Sequence, residues 1–340
     1  MSGEGADAVR GAGDASGAIR GTGDVSGAEA AAREPTAGAD LGAAVREAAR
    51  TLARAGIATP RADAELLAAH LISRETGEPV SRGELAARMV TGSWPAPAGY
   101  AELVASRAER IPLQHLTGEA HFRNLTLRVG PGVFVPRPET EVLVDELNAF
   151  LAARGEASPV VVDLATGSGA LALAAAQENP GARVLGVELS EAALAWARAN
   201  AEDRAAAGDR PVEIVAGDAA TALPELEGAV AAVLTNPPYI PEDMVPRDPE
   251  VALHDPETAL YGGSPDGMLI PTAFVRRAAR LLVPGGLLIM EHAEVQAAAA
   301  AGLFAAEGFT GVETVLDLTG RERATKGYAG GRGPAAPGAP

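Results

Sequence analysis

From about Leu41, apolar residues recur at spacings of three and four: LGAAVREAARTLARAG, then ADAELLAAHLISRETG after Thr59-Pro60, then SRGELAARMV. That spacing gives a helix one apolar face, and glycine or proline closes each run. It predicts a small helical domain over 41–110, with Asp63 placed to cap or charge-stabilise a helix start. The period then changes. EAHFRNLTLRVGPGVFVPRP alternates around Phe122, Leu125, Leu127 and Val129, which predicts a β-hairpin over 111–136 that turns at Gly130-Pro131-Gly132 and links two domains. From Pro159 the chain alternates strand-like runs with amphipathic stretches. The strands are VVVDL (160–164), RVLGVEL (183–189), VEIVAG (212–217), VAAVLT (230–235) and GLLIMEH (286–292), and the helical runs include ALALAAAQ and SEAALAWARANAEDRAA. Near-continuous apolar strands spaced by helices predict an α/β domain over 137–328, built on a doubly wound parallel sheet covered on both faces. Ligands bind such sheets at the carboxyl ends of the strands.

The first forty residues break this pattern with an approximate ten-residue repeat, RGAGDASGAI then RGTGDVSGAE. Glycine, alanine, serine and aspartate cannot bury enough apolar surface to offset chain entropy, so 1–40 is expected to be a disordered tail. The same expectation holds for 329–340. The 340 residues are 47% hydrophobic, enough for a sizeable core. A formal charge of -17 weighs against nucleic acid as a partner. There are no cysteines, which excludes disulfides and thiolate chemistry, and the five histidines show no metal-ligand spacing. No run approaches the length of a membrane span, and no basic stretch followed by an apolar core opens the chain, so a cytoplasmic location is expected.

Candidate chemistry sits at the strand ends. The first strand runs into DLATGSG, whose loop Ala165, Thr166, Gly167, Ser168 and Gly169 can be a ligand cradle at a helix start or simply a tight turn. Glu188, at the end of the second strand, is spaced to chelate ribose hydroxyls, or else caps the following helix beside Ser190. Asp218, with Ala219 after the third strand, can accept from an adenine amine or merely shape a turn. A glycine loop followed by two acids at successive strand ends points to an adenosine-containing ligand. The fourth strand ends in Asn236-Pro237-Pro238-Tyr239, whose two prolines can continue neither a helix nor a central strand.

DLATGSG, Glu188, Asp218 and NPPY, in this order, resemble a class I S-adenosylmethionine-dependent methyltransferase acting on a planar nitrogen. IPLQHLTGEAHFRNLTLRVGPGVFVPRPETEVLV (111–144), DPETALYGGSPDG (255–267) and GLLIMEHAEVQ (287–297) narrow the resemblance to the HemK/PrmC family of release-factor glutamine methyltransferases. It covers roughly Leu41 to Tyr328. NPPY alone is shared with adenine-N6 methyltransferases, whereas PRPET upstream of the glycine loop is much more specific. The resemblance implies a Rossmann-like class I fold, S-adenosylmethionine as cofactor and peptide-chain release factors as protein substrates. It implies cofactor contacts from residues 165–169, Glu188, Asp218, Ala219 and Asn236. Substrate contacts are implied from Asn236, Pro237, Pro238 and Tyr239, and Arg137 is expected to meet either substrate or a local carboxylate. Three positions depart from the family pattern. Ala165 stands where glycine is usual, which is tolerable only at negative φ; Glu188 replaces a frequent aspartate; and Ala219 replaces a bulkier neighbour.

An amide nitrogen is a poor nucleophile because its lone pair is delocalised into the carbonyl. Transfer requires that lone pair to face the methyl group while both N–H hydrogens find acceptors. The expected acceptors are the Asn236 side-chain oxygen and the Pro237 main-chain carbonyl, with Tyr239 stacked on the flat amide and the prolines supplying preorganisation. The rival expectation is an adenine-N6 DNA or RNA methyltransferase, since adenine also presents a planar NH2. A third is a helical interaction module carrying a degenerate fold.

Overall fold

The computed structural model describes residues 40–92 and 94–331. Five helices come first: α1 (Leu41–Arg54), α2 (Pro60–Thr76), α3 (Arg82–Thr91), α4 (Tyr100–Ala108) and the short α5 (Leu113–Thr117). Asp40 caps α1 by accepting from the Ala43 N–H, and Leu41, Val45, Ala48 and Leu52 bury the face that the period predicts. Ser81 and Glu84 form a reciprocal capping box at the start of α3. These faces close on one another in a separate apolar core with Tyr100 and Val104.

A hairpin follows, β1 (Glu119–Phe122) and β2 (Leu125–Arg128). It corrects the expected turn: the chain reverses at Arg123-Asn124, with Phe122 opposite Leu125, and not at Gly130-Pro131-Gly132. Arg123 adopts a left-handed φ of 51°, and its N–H donates to the Glu141 carboxylate (2.8 Å). Gly130 serves packing instead, since a Cβ there would stand 2.6 Å from the Trp196 ring.

The remaining elements are α6 (Val142–Arg154), β3 (Val160–Leu164), α7 (Ala170–Glu178), β4 (Arg183–Glu188), α8 (Glu191–Ala206), β5 (Glu213–Ala216), β6 (Val230–Thr235), α9 (Pro249–His254), α10 (Leu269–Leu281), β7 (Leu282–Glu291), α11 (Ala297–Ala306), β8 (Phe309–Leu316) and β9 (Glu322–Ala329). The seven-stranded sheet has the order β5-β4-β3-β6-β7-β9-β8. It is mixed, because β9 pairs antiparallel with both β7 and β8. Neither of these last strands shows the continuous apolar run by which the others are legible: in β8 only Phe309 and Val315 are buried, and most of FTGVETVL faces water. β9 continues through Ala329, so the expected C-terminal tail begins later than 329. Residues 1–39, with the ten-residue repeat, and 332–340 lie outside the described residues. No helix among the described residues is long and apolar enough to cross a membrane.

Apolar clusters fill both faces of the sheet. The strand order reverses between β3 and β6, which makes their carboxyl ends the topological switch point. There Leu164 is in register with Thr235, and the Thr235 hydroxyl donates to the Leu164 carbonyl (2.6 Å). The loops beginning at Ala165 and Asn236 therefore leave the sheet side by side.

Candidate active site

A cavity of about 1030 Å³ opens at this switch point. It is large enough for a nucleoside-sized ligand and a substrate side chain together. Ala165, Thr166, Gly167, Ser168, Glu188, Asp218, Ala219, Asn236, Pro238, Tyr239 and Arg137 all line it, so the fold gathers the strand-end residues into one wall. Gly169 and Pro237 stand behind that lining: Gly169 caps α7, and Pro237 is buried.

The glycine loop is held from beneath. Thr166 donates to the buried Asp163 carboxylate (2.5 Å), and its N–H reaches the Val187 carbonyl. Burial pushes the Asp163 carboxyl up to about 7. Glu188 accepts from the N–H groups of Gly167 and Ser190, both at 2.8 Å, so its carboxylate is oriented before any ligand arrives, and each oxygen keeps a further lone pair. Burial nevertheless raises its pKa. Nothing lies within 4 Å of a Cβ built on Gly167, so the backbone is open to a ligand there.

Ala165 has φ of +65°, the left-handed conformation in which the departure from glycine is least tolerable. An L-residue is strained there by about 1–2 kcal/mol. Ala165→Gly is accordingly expected to stabilise the protein by about 0.5–1 kcal/mol, after the entropy that glycine adds to the unfolded chain. Chemical denaturation would detect this as a higher midpoint at unchanged slope, and a lower midpoint would refute the strain.

NPPY is fixed by the DPETALYGGSPDG segment. The Ile240 N–H donates to the Leu260 carbonyl and the Gly262 N–H to the Ile240 carbonyl, which makes a one-residue strand bridge. Gln296 donates from its amide to the carbonyls of Tyr239 and Asp266, both at 2.8 Å. At Gly267 a Cβ would fall 2.1 Å from the Tyr239 carbonyl oxygen, so the two loops touch backbone to backbone.

Sequence reasoning missed the group that joins these parts. Glu291, at the end of β7, is 3% exposed and lines the cavity. It accepts from Thr140 of PRPET (2.6 Å) and from the Tyr239 hydroxyl (3.3 Å), while the Asn236 amide nitrogen lies 3.4 Å from the Thr140 oxygen. Burial pushes Glu291 up to about 7 and also raises Tyr239. GLLIMEH gave no local sign of this, because a single acid in an apolar strand acquires meaning only from what faces it.

Of the two partners expected for Arg137, the local carboxylate is present: it pairs with Asp255 at 3.0 Å and lies over the Phe134 ring, while it also lines the cavity. Asp255 is raised to about 6 by burial. Charges on the lining are Glu139, Glu188, Asp218, Asp248 and Glu291 against Arg137 and Arg323. That balance favours a cationic ligand over a polyphosphate.

The PrmC N-terminal domain matches residues 43–118, and the methyltransferase small domain matches 124–247. The chain is 51% identical over 284 residues to a release factor glutamine methyltransferase of Mycolicibacterium smegmatis, covering 82% of this chain and 94% of that one. The chain belongs to the release factor glutamine methyltransferase family. A Streptomyces coelicolor member is 47% identical, with 83% and 95% of the two chains covered. A 4-amino-L-phenylalanine/4-methylamino-L-phenylalanine methyltransferase of Streptomyces pristinaespiralis is 42% identical, with 79% and 88% covered.

Proposed function

We propose that this protein transfers a methyl group from S-adenosylmethionine to the side-chain amide nitrogen, N5, of the glutamine in the Gly-Gly-Gln motif of peptide-chain release factors. The observation that carries this is the placement of Asn236 and Tyr239 beside the glycine loop on one acidic cavity wall, in a chain whose family match extends through the helical region. Residues 165–168, Glu188, Asp218 and Ala219 would hold the cofactor, which suits an acidic lining because the ligand is a sulfonium cation. When bound, it supplies an electrophilic methyl group.

The chain's own residues prepare the nucleophile. Glu291, when ionised, is purely an acceptor, so Thr140 must donate its proton to it. The Thr140 oxygen is then left to accept from the Asn236 amide nitrogen, which leaves the Asn236 oxygen to face substrate. That oxygen accepts a hydrogen bond from one N–H of the substrate NH2 and the nitrogen lone pair is directed at the methyl group; the methylated nitrogen then loses its surplus proton to water. Tyr239, held through its hydroxyl by Glu291, presents its ring to the amide plane.

The deciding experiment incubates the protein with radiolabelled S-adenosylmethionine and, separately, a release factor, duplex DNA or 4-amino-L-phenylalanine. Label is expected in the release factor and, after digestion, in its Gly-Gly-Gln peptide. Label in DNA adenine or in the free amino acid, with none in the release factor, would overturn the proposal.

A further inference from the structure

Residues 242–249, which follow NPPY, are exposed or half-buried, with Met244 and Val245 turned to solvent. The first buried side chain after them is a carboxylate, Glu250 in the first turn of α9, at 9% exposure. A carboxylate taken out of water needs charged partners. Both of its cationic partners come from the helical region: Glu250 accepts from Arg107 at 2.8 Å on one oxygen and from Arg110 at 2.6 Å on the other, and the Asp248 carboxyl of its own loop is hydrogen-bonded to it as well. Arg107 is itself buried and also donates to Asp63 of α2 (2.8 Å) and to the Ile111 carbonyl. Arg110 sits in a left-handed conformation (φ 72°) and donates to the Gly56 carbonyl (2.8 Å). A strained non-glycine backbone at such a contact points to a requirement for the side chain's position.

The other end of α9 is tied independently, through Asp255 to Arg137. Val251, between the two ties, and Asp248, just ahead of them, line the cavity. The α9 segment is thus a wall of the site held by ion pairs at both ends, one of them belonging to the helical region.

We propose that Glu250 is a positioning residue: through Arg107 and Arg110, the helical region sets the place of the α9 wall and so the fit of the protein substrate. This rests on the function proposed above, and it gives the helical region a part in building the site besides docking. The contact is ionic and mostly buried, so loss of either partner frees α9 without emptying an apolar core.

The test compares Glu250→Gln and Arg110→Gln, which break the same contact from opposite sides, 140 residues apart in the chain. In hydrogen exchange, amides of 250–255 are expected to exchange at least about 10-fold faster in both variants, while those of β3 and β6 are unchanged. The KM for release factor is expected to rise about 10-fold, with kcat and the Kd for S-adenosylhomocysteine each within about twofold of wild type. If either folded variant keeps wild-type exchange in α9 and wild-type KM, the proposal is wrong. A purely structural role would instead lower kcat and weaken S-adenosylhomocysteine binding together, which also overturns it. Should wild-type protein leave release factor unlabelled, the functional reading fails while the exchange measurement still judges the contact.

Discussion

Asn236→Ala is expected to lower kcat for release-factor methylation by roughly 10²–10³-fold, the range found when one preorganised hydrogen-bonding group is removed from a reacting centre. The loss should fall on kcat more than on KM, because the asparagine oxygen matters most as the substrate nitrogen becomes tetrahedral. Affinity for S-adenosylhomocysteine, measured by calorimetry, should stay within about tenfold, since Glu188 remains held by Gly167 and Ser190. Asn236→Asp separates charge from geometry. It retains an acceptor oxygen but loses the N–H that reaches Thr140, so the orienting contact is gone and activity should not recover. Near-normal turnover in either variant would show that the amide is oriented by something else.

Glu291→Gln is expected to reduce activity by about 10–100-fold at pH 8 and to flatten its pH dependence. The sign follows from hydrogen-bond direction. Ionised Glu291 compels Thr140 to donate toward it; the protonated acid can donate to Thr140 instead, which frees the threonine proton for the Asn236 oxygen and turns that oxygen away from substrate. Burial has raised Glu291 from 4.5 to about 7, so wild-type kcat should climb through a limb centred near pH 7. Glutamine mimics the neutral acid, so the variant should lack that limb and resemble wild type at pH 6. A limb that persists unchanged in Glu291→Gln would assign it to another group.

The same raised pKa runs the other way for stability. A carboxylate with a higher pKa in the folded state than in the unfolded one binds protons more tightly when folded. Folding is therefore favoured below about 4.5, and the advantage is lost as pH rises to about 7. The proposed activity requires the charged form that folding disfavours, a conflict expected of a buried acid with a chemical role.

Much of the architecture was legible because it is written in local periods. VVVDL and VAAVLT match β3 and β6 end for end, and the capping residues of α1 and α3 lie just before their apolar stripes. β8 and β9 escaped because strands that interleave polar with apolar residues do not produce an apolar run. The hairpin turn was misplaced for a related reason: Gly130-Pro131-Gly132 has the composition of a turn, yet Trp196 and not strand reversal requires Gly130.

The sequence by itself determined which residues stand at the strand ends and in what order, since apolar continuity sets where a strand stops and the next residues face the cavity there. It also placed NPPY among them and marked Ala165 as a position at risk. Only the tertiary structure decided the rest. Ala165 became strained because the loop must turn left-handed between β3 and α7; Glu291 became part of the site because β7 ends opposite PRPET; and Glu250 became buried because two arginines of the helical region surround it. Each of these is a pairing between residues far apart in the chain, and the energy of a buried charge or a fixed dihedral depends on partners that no local pattern contains.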